Sequence, residues 1–240
     1  MNAALPESTV RILVDEALPG APEDLLVALL TGTLSHPEDF HREGFVQAAR
    51  DRGVRADIAL VGTPAARVAD GTVADVLEES LWAPARARGR RRLWLAGISL
   101  GGLAAMAYAL RHPQAVAGLV LLAPYPGSRD WLRRMDAEGG APGLAGAPHE
   151  PADAERDAWT WLANAGAGAA PPTYLLYGES DRFADGQARI ARALPPAHVA
   201  RVAGAHDWPT WRRAWDRFLA EHAAQLGGVR DGAGLAPAMP

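Results

Sequence analysis

The chain of 240 residues contains no cysteine and no lysine. Without cysteine there are no disulfides, no thiolate nucleophile and no cysteine metal site. All 24 basic residues are arginine. Beside an abundance of alanine, this reads as the compositional bias of a GC-rich genome and not as a selected basic surface. The net charge of −4 argues against a dedicated nucleic-acid binder. No apolar run approaches the roughly 20 residues of a membrane span. Met1 to Glu16 carries Glu7, Arg11 and Asp15 and lacks the charged-then-apolar pattern of a secretory leader. A cytoplasmic location is therefore expected.

What is present is a rhythm of short apolar runs and helical spacings. Thr9–Val14, Leu25–Leu30, Val54–Val61, Leu93–Ile98, Gly118–Ala123, Pro172–Tyr177 and His198–Val202 read as strands. Several are continuously apolar, as strands buried on both faces require. Helical spacing is found over Glu38–Arg52, Val73–Arg88, Leu100–Arg111 and Trp208–Gln225. This alternation predicts an α/β fold with a doubly wound, mostly parallel sheet. In such sheets ligands lie beyond the carboxyl ends of the strands.

Residues 127–170 break the rhythm. Two short helices, Asp130–Glu138 and Ala152–Asn164, are expected there on either side of the Gly/Pro-rich Gly139–Pro148. An insertion of this length in a compact domain is usually functional. The core is thus expected in residues 1–126 and 171–226, with residues 227–240, rich in Gly, Ala and Pro, as a disordered tail.

The chemistry concentrates after three of the strands. Gly97-Ile98-Ser99-Leu100-Gly101 spells G-x-S-x-G between an apolar strand and a small-residue helix. A serine held in such a tight turn is strained, so the residues two places before and after it must be small. The turn also sets the serine at a helix N-terminus, where backbone N–H groups favour developing negative charge. Gly178-Glu179-Ser180-Asp181 follows the Pro172–Tyr177 run, and Gly204-Ala205-His206-Asp207-Trp208 follows the last strand. Nucleophilic serine chemistry needs a base within hydrogen-bond reach and an acid to orient it. Asp207 is expected to be a helix N-cap.

This order of serine, acid and histidine, each after its own strand, resembles the α/β-hydrolase fold family. The resemblance covers about residues 8–226. It implies Ser99 as nucleophile, His206 as base and Asp181 as acid, with Glu179 two residues too early. It implies an oxyanion hole of backbone N–H groups from Leu100 and from the loop after Leu25–Leu30. There the sequence has Thr31-Gly32-Thr33 where family members often show His-Gly-x, so Thr33 is the expected second donor and Leu34 the alternative. It implies a lid over the site at 127–170, with Trp131, Trp159 and Trp161 on its inner face, and Leu34 and Trp208 beside the pocket.

The expected activity is hydrolysis of a small or medium, mostly apolar carboxylic ester through an acyl-enzyme. Thioester, lactone and amide substrates fit the same machinery. An acyltransferase and a catalytically idle ligand-binding member of the fold are the rival readings. No metal and no cofactor is expected. The remaining histidines (His36, His41, His112, His149, His198, His222) have no metal-ligand spacing, and no phosphate-binding glycine loop follows a strand. The arginine run Arg86, Arg88, Arg90, Arg91 and Arg92 precedes the Leu93–Ile98 strand, away from the predicted site, and reads as a solvated face.

Overall fold

A computed structural model describes residues 10–22, 24–144, 153–165 and 170–227. Seven strands form one sheet: β1 (Ile12–Asp15), β2 (Leu25–Leu30), β3 (Asp57–Val61), β4 (Arg92–Ile98), β5 (Val116–Leu122), β6 (Thr173–Gly178) and β7 (Val199–Val202). Their order is β1-β3-β2-β4-β5-β6-β7. β1 pairs antiparallel with β3, and every other pairing is parallel. The continuously apolar runs explain this arrangement. All six residues of β2 are buried, as are Leu93–Ile98 of β4, because helices cover both faces. Each fully buried leucine there contributes about 1.5–3 kcal/mol through its removal from water.

From β2 the chain goes outward to β3 and then returns to place β4 on the other side of β2. The reversal opens a crevice at the carboxyl ends of β2 and β4, the position at which doubly wound sheets take ligands.

The helices are α1 (Asp39–Arg42), α2 (Phe45–Asp51), α3 (Ala65–Ala69), α4 (Val73–Leu77), α5 (Ala83–Ala87), α6 (Leu100–Arg111), α7 (Arg129–Ala137), α8 (Ala154–Asn164), α9 (Ala184–Ala191) and α10 (Trp208–His222). The helix expected over 38–52 is broken at Gly44, whose φ of 74° ends α1 and starts α2. The helix expected over 73–88 is continuous but includes a π turn, Glu78–Trp82, between α4 and α5. The Tyr108 hydroxyl of α6 donates to Glu78 there at 2.7 Å. Two helices, α3 and α9, have too little apolar periodicity to be read from the sequence.

The connection between β5 and β6 corrects one expectation. α8 packs against α6 in the helical layer beside the sheet. Arg111 of α6 donates to the buried Asp157 of α8 at 2.8 Å. Trp161 lies with Val116 and Pro171, at the N-terminal ends of β5 and β6 and thus at the end of the sheet opposite Ser99. Trp159 is buried and donates its indole N–H to Pro126 O at 2.8 Å. Trp161 therefore belongs to the scaffold and not to the underside of a lid. Trp161 lies beside Ala109 and Leu110 of α6, an interaction between distant segments that local spacing does not reveal. Residues 145–152 and 228–240, and with them His149 and nearly all of the expected tail, lie outside the described residues. Among the described residues no helix is long and apolar enough to cross a membrane.

Candidate active site

Ser99 stands between β4 and α6 with φ 49° and ψ −113°, a conformation that costs a non-glycine residue about 1–3 kcal/mol. Its surroundings enforce it. The Ser99 N–H donates to Leu122 O of β5 at 3.0 Å. The Ser99 carbonyl accepts from the N–H groups of Gly102 at 3.0 Å and of Tyr125 at 2.8 Å. The flanking glycines make the turn sterically possible. A Cβ on Gly97 would stand 2.5 Å from Gly102 N, and one on Gly101 2.7 Å from Thr31 O. A Cβ on Gly102 would meet Pro124 at 2.8 Å.

Asp181 sits in the turn after β6, where its N–H donates to Gly178 O at 3.2 Å. One carboxylate oxygen accepts the Phe183 N–H at 2.8 Å. The other lies 2.8 Å from His206 Nδ1. His206 Nε2 in turn lies 2.9 Å from Ser99 Oγ. With Nδ1–H donated to Asp181, Nε2 is free to accept the serine hydroxyl proton. The side chains are almost fully enclosed, with 0% of Asp181 and 6% of His206 exposed. Burial pushes the Asp181 carboxyl upward. The hydrogen bonds from His206 and the Phe183 N–H, with help from the Gln187 side chain, outweigh that and hold it below the ordinary carboxylate range. Glu179 is exposed in the turn, and its N–H donates to Val202 O. The neighbouring Asp207 caps α10, accepting the Thr210 N–H at 3.0 Å.

The expected oxyanion donors lie in two segments, the start of α6 and the loop after β2. Thr31 is fully buried, and its hydroxyl accepts the Thr63 N–H at 2.9 Å. It thus pins the loop after β2 to the loop after β3, a role that needs no histidine. Gly32 follows so close to the elbow that a Cβ on it would lie 3.3 Å from Ser99 Cβ. The N–H groups of Thr33 and Leu100 find no acceptor among the described residues. Leu100 opens α6, so its N–H is one of the helix's orphan donors. Leu34 has φ 61° and is 97% exposed.

The structure thus brings Ser99, Asp181 and His206 together, with Leu100 next in the chain and Gly32, the residue before Thr33, beside Ser99. Trp208 instead packs edge-on against Phe40 and Phe45 at 5.8 and 5.7 Å, in an aromatic cluster beside α10. Trp131 is buried at the start of α7, next to Gly127. The arginine run lies at the opposite end of β4. Arg86 pairs with Glu78, Arg90 with Asp57 and Arg92 with Asp24. Three neighbours of the site escaped the sequence reading: Tyr125, Phe183 and Gln187. Gln187 lies on the unrecognised α9, and the other two carry no motif.

Comparison with known proteins adds three kinds of finding. The family model of serine aminopeptidase, S33, matches residues 70–137, which contain β4, the elbow, α6, β5 and α7. None of the curated proteins matches the sequence. Among solved structures, S-formylglutathione hydrolase from Staphylococcus aureus is similar over 90% of this chain and 92% of its own, with 15% identity and a TM-score of 0.67. A fluorophosphonate-binding serine hydrolase of the same organism is similar over 90% and 91%, with 16% identity and a TM-score of 0.65. Monoacylglycerol lipase from Paleococcus ferrophilus is similar over 90% and 99%, with 15% identity and a TM-score of 0.55. At these identities the likeness is one of fold.

Proposed function

The chain has the α/β-hydrolase fold, and on that premise we propose that it is a serine hydrolase cleaving a small or medium, mostly apolar carboxylic ester or thioester. One observation carries this reading. An Asp181–His206–Ser99 relay with links of 2.8 and 2.9 Å ends on a serine held in a strained turn at a helix N-terminus.

In the first half-reaction the Ser99 oxygen attacks the carbonyl carbon while its proton passes to His206 Nε2. The carbonyl π electrons move onto oxygen, and the N–H groups of Leu100 and Thr33 receive that charge. Each such donor supplies about 2.7–4 kcal/mol of transition-state stabilisation. The tetrahedral species collapses, the C–O or C–S bond breaks, and His206 returns the proton to the leaving alcohol or thiol. Water then attacks the acyl-serine, giving its proton to His206. Collapse frees the acid, and Ser99 recovers its proton. Asp181 stays ionised throughout, fixing the Nδ1–H tautomer and stabilising the imidazolium.

Apolar substrates are favoured by the surroundings. Tyr125 and Phe183 are in edge-to-face contact at 5.3 Å next to the relay, and Leu34 presents a bare aliphatic side chain beyond the oxyanion loop. The cover expected from residues 127–170 is assigned to α7. It starts a few residues after β5 leaves the site at Pro124–Pro126, whereas α8 lies on α6.

The test is turnover of p-nitrophenyl butyrate by the wild type, Ser99→Ala and His206→Ala. A loss of several orders of magnitude in both variants is expected. Wild-type rates in either variant contradict the assignment. Product analysis with an added alcohol separates hydrolysis from acyl transfer to a non-water acceptor. An idle binding module turns over nothing.

A further inference from the structure

His206 is held by rings as well as by hydrogen bonds. The Phe183 ring stands perpendicular to the imidazole at 88°, with centroids 5.0 Å apart. The Trp211 ring does the same at 85° and 5.1 Å. The two come from different elements, Phe183 from the turn that carries Asp181 and Trp211 from the first turn of α10. Each is itself anchored. Trp211 meets Trp208 at 5.1 Å, and Trp208 rests on Phe40 and Phe45. The Trp211 N–H donates to Asp207 O at 3.0 Å, within the turn capped by the Asp207 side chain. Phe183 meets Tyr125, whose N–H donates to Ser99 O. An aromatic chain thus runs from the exit of the elbow, across the imidazole, to the α1–α2 region.

We infer that Phe183 and Trp211 are positioning residues for His206, holding the imidazole in its working plane when the serine hydroxyl cannot. The inference rests on the Ser99–His206–Asp181 reading. In the resting site the ring is fixed at both nitrogens. Once Ser99 is acylated its oxygen has no proton to donate, and the Nε2 bond is gone. Only the Asp181 link then remains, and a single hydrogen bond leaves the ring free to tilt. Yet the same Nε2 must next take a proton from water along a defined line, and misplacement by about 1 Å can cost about 100-fold in rate. Edge-to-face packing is the interaction that persists through the cycle. The Asp181 and Ser99 groups are the polar side chains bonded to this ring.

Trp211 has a second peculiarity that makes the test sharp. Its indole N–H is buried and has no acceptor among the described residues. The ring is therefore retained in spite of its polar atom, and phenylalanine supplies the ring without the orphan donor.

The experiment compares Trp211→Phe, Trp211→Leu and Phe183→Leu with p-nitrophenyl butyrate, with melting temperatures taken alongside. Trp211→Phe should stay within about 3-fold of wild type. The two leucine variants should lose about 10-fold or more in kcat, part of the roughly 10²–10⁴-fold that a positioned base supplies. They should also accumulate acyl-Ser99, visible as a mass adduct at steady state, because deacylation is the step left without the serine bond. Placed on His206→Ala, Trp211→Leu should change the residual rate by less than about 2-fold. A folded Trp211→Leu with wild-type kcat overturns the inference. So does an equal further loss on the His206→Ala background, which marks a general structural role. If Ser99→Ala is as active as wild type, the triad reading has failed instead. If Ser99→Ala is inactive while the leucine variants are unaffected, only the positioning role falls.

Discussion

Gly101 approaches Leu30 so closely that a Cβ at residue 101 would lie 2.7 Å from the Leu30 carbonyl carbon. The nucleophile helix and the strand that leads to the oxyanion loop are thus in backbone contact. Gly101→Ala should therefore destabilise the fold by about 1–3 kcal/mol or more, since the obstacle is backbone and cannot swing aside. The midpoint of urea unfolding checks this. An unchanged midpoint contradicts the close approach.

Thr31 offers a subtler handle on the same region. Thr31→Val keeps the shape but leaves the buried Thr63 N–H without its acceptor, at a cost of about 1–3 kcal/mol. Thr31→Ser preserves the bond and should be close to wild type. If the loop positions the Thr33 donor, kcat in Thr31→Val falls while KM changes little.

Asp181 contributes to the acid side of the stability profile. Its folded carboxyl lies below its ordinary value of 3.8, so the stabilisation is present above that value and is lost as pH falls through the lower, folded value. Relative to Asp181→Asn, the wild type should lose stability only below about pH 4. Any acidic limb of kcat/KM above that pH belongs to a group other than Asp181. At neutral pH, Asp181→Asn should lower kcat by about 10⁴-fold through the wrong histidine tautomer.

The role of α8 is separable from that of α7. Asp157→Ala leaves Arg111 without its buried carboxylate partner and should cost about 3–5 kcal/mol. The acyl-chain preference of the folded fraction should be unchanged. Substitutions on α7 should alter that preference across p-nitrophenyl acetate, butyrate and octanoate. A changed profile in Asp157→Ala and a constant one in α7 variants reverses the assignment.

These contrasts follow what the sequence made legible. The buried strands were readable because β2, β4 and β5 are apolar on both faces, and nothing but a helix-covered sheet accommodates that. The site was readable because Ser99 and Asp181 follow such strands, and His206 follows the edge strand β7, at the end where function collects. The break at Gly44, the π turn at Glu78–Trp82 and the packing of α8 on α6 were not readable. The last two involve partners far away in the chain, Asp157 with Arg111 and Glu78 with Tyr108, and the break comes from the positive φ of one glycine inside a helical spacing. The aromatic grip on His206 was hidden as well. Phe183 carries no motif. Trp211 follows His206 in a context that resembles that of small esterases of the family, but nothing in that spacing shows that its ring meets the imidazole.

The most direct test of the account is labelling by a fluorophosphonate, read by peptide mass. The relay predicts one adduct on Ser99, formed rapidly in the wild type and slowed by orders of magnitude in His206→Ala. Labelling of another residue, or equal rates in the two proteins, contradicts it.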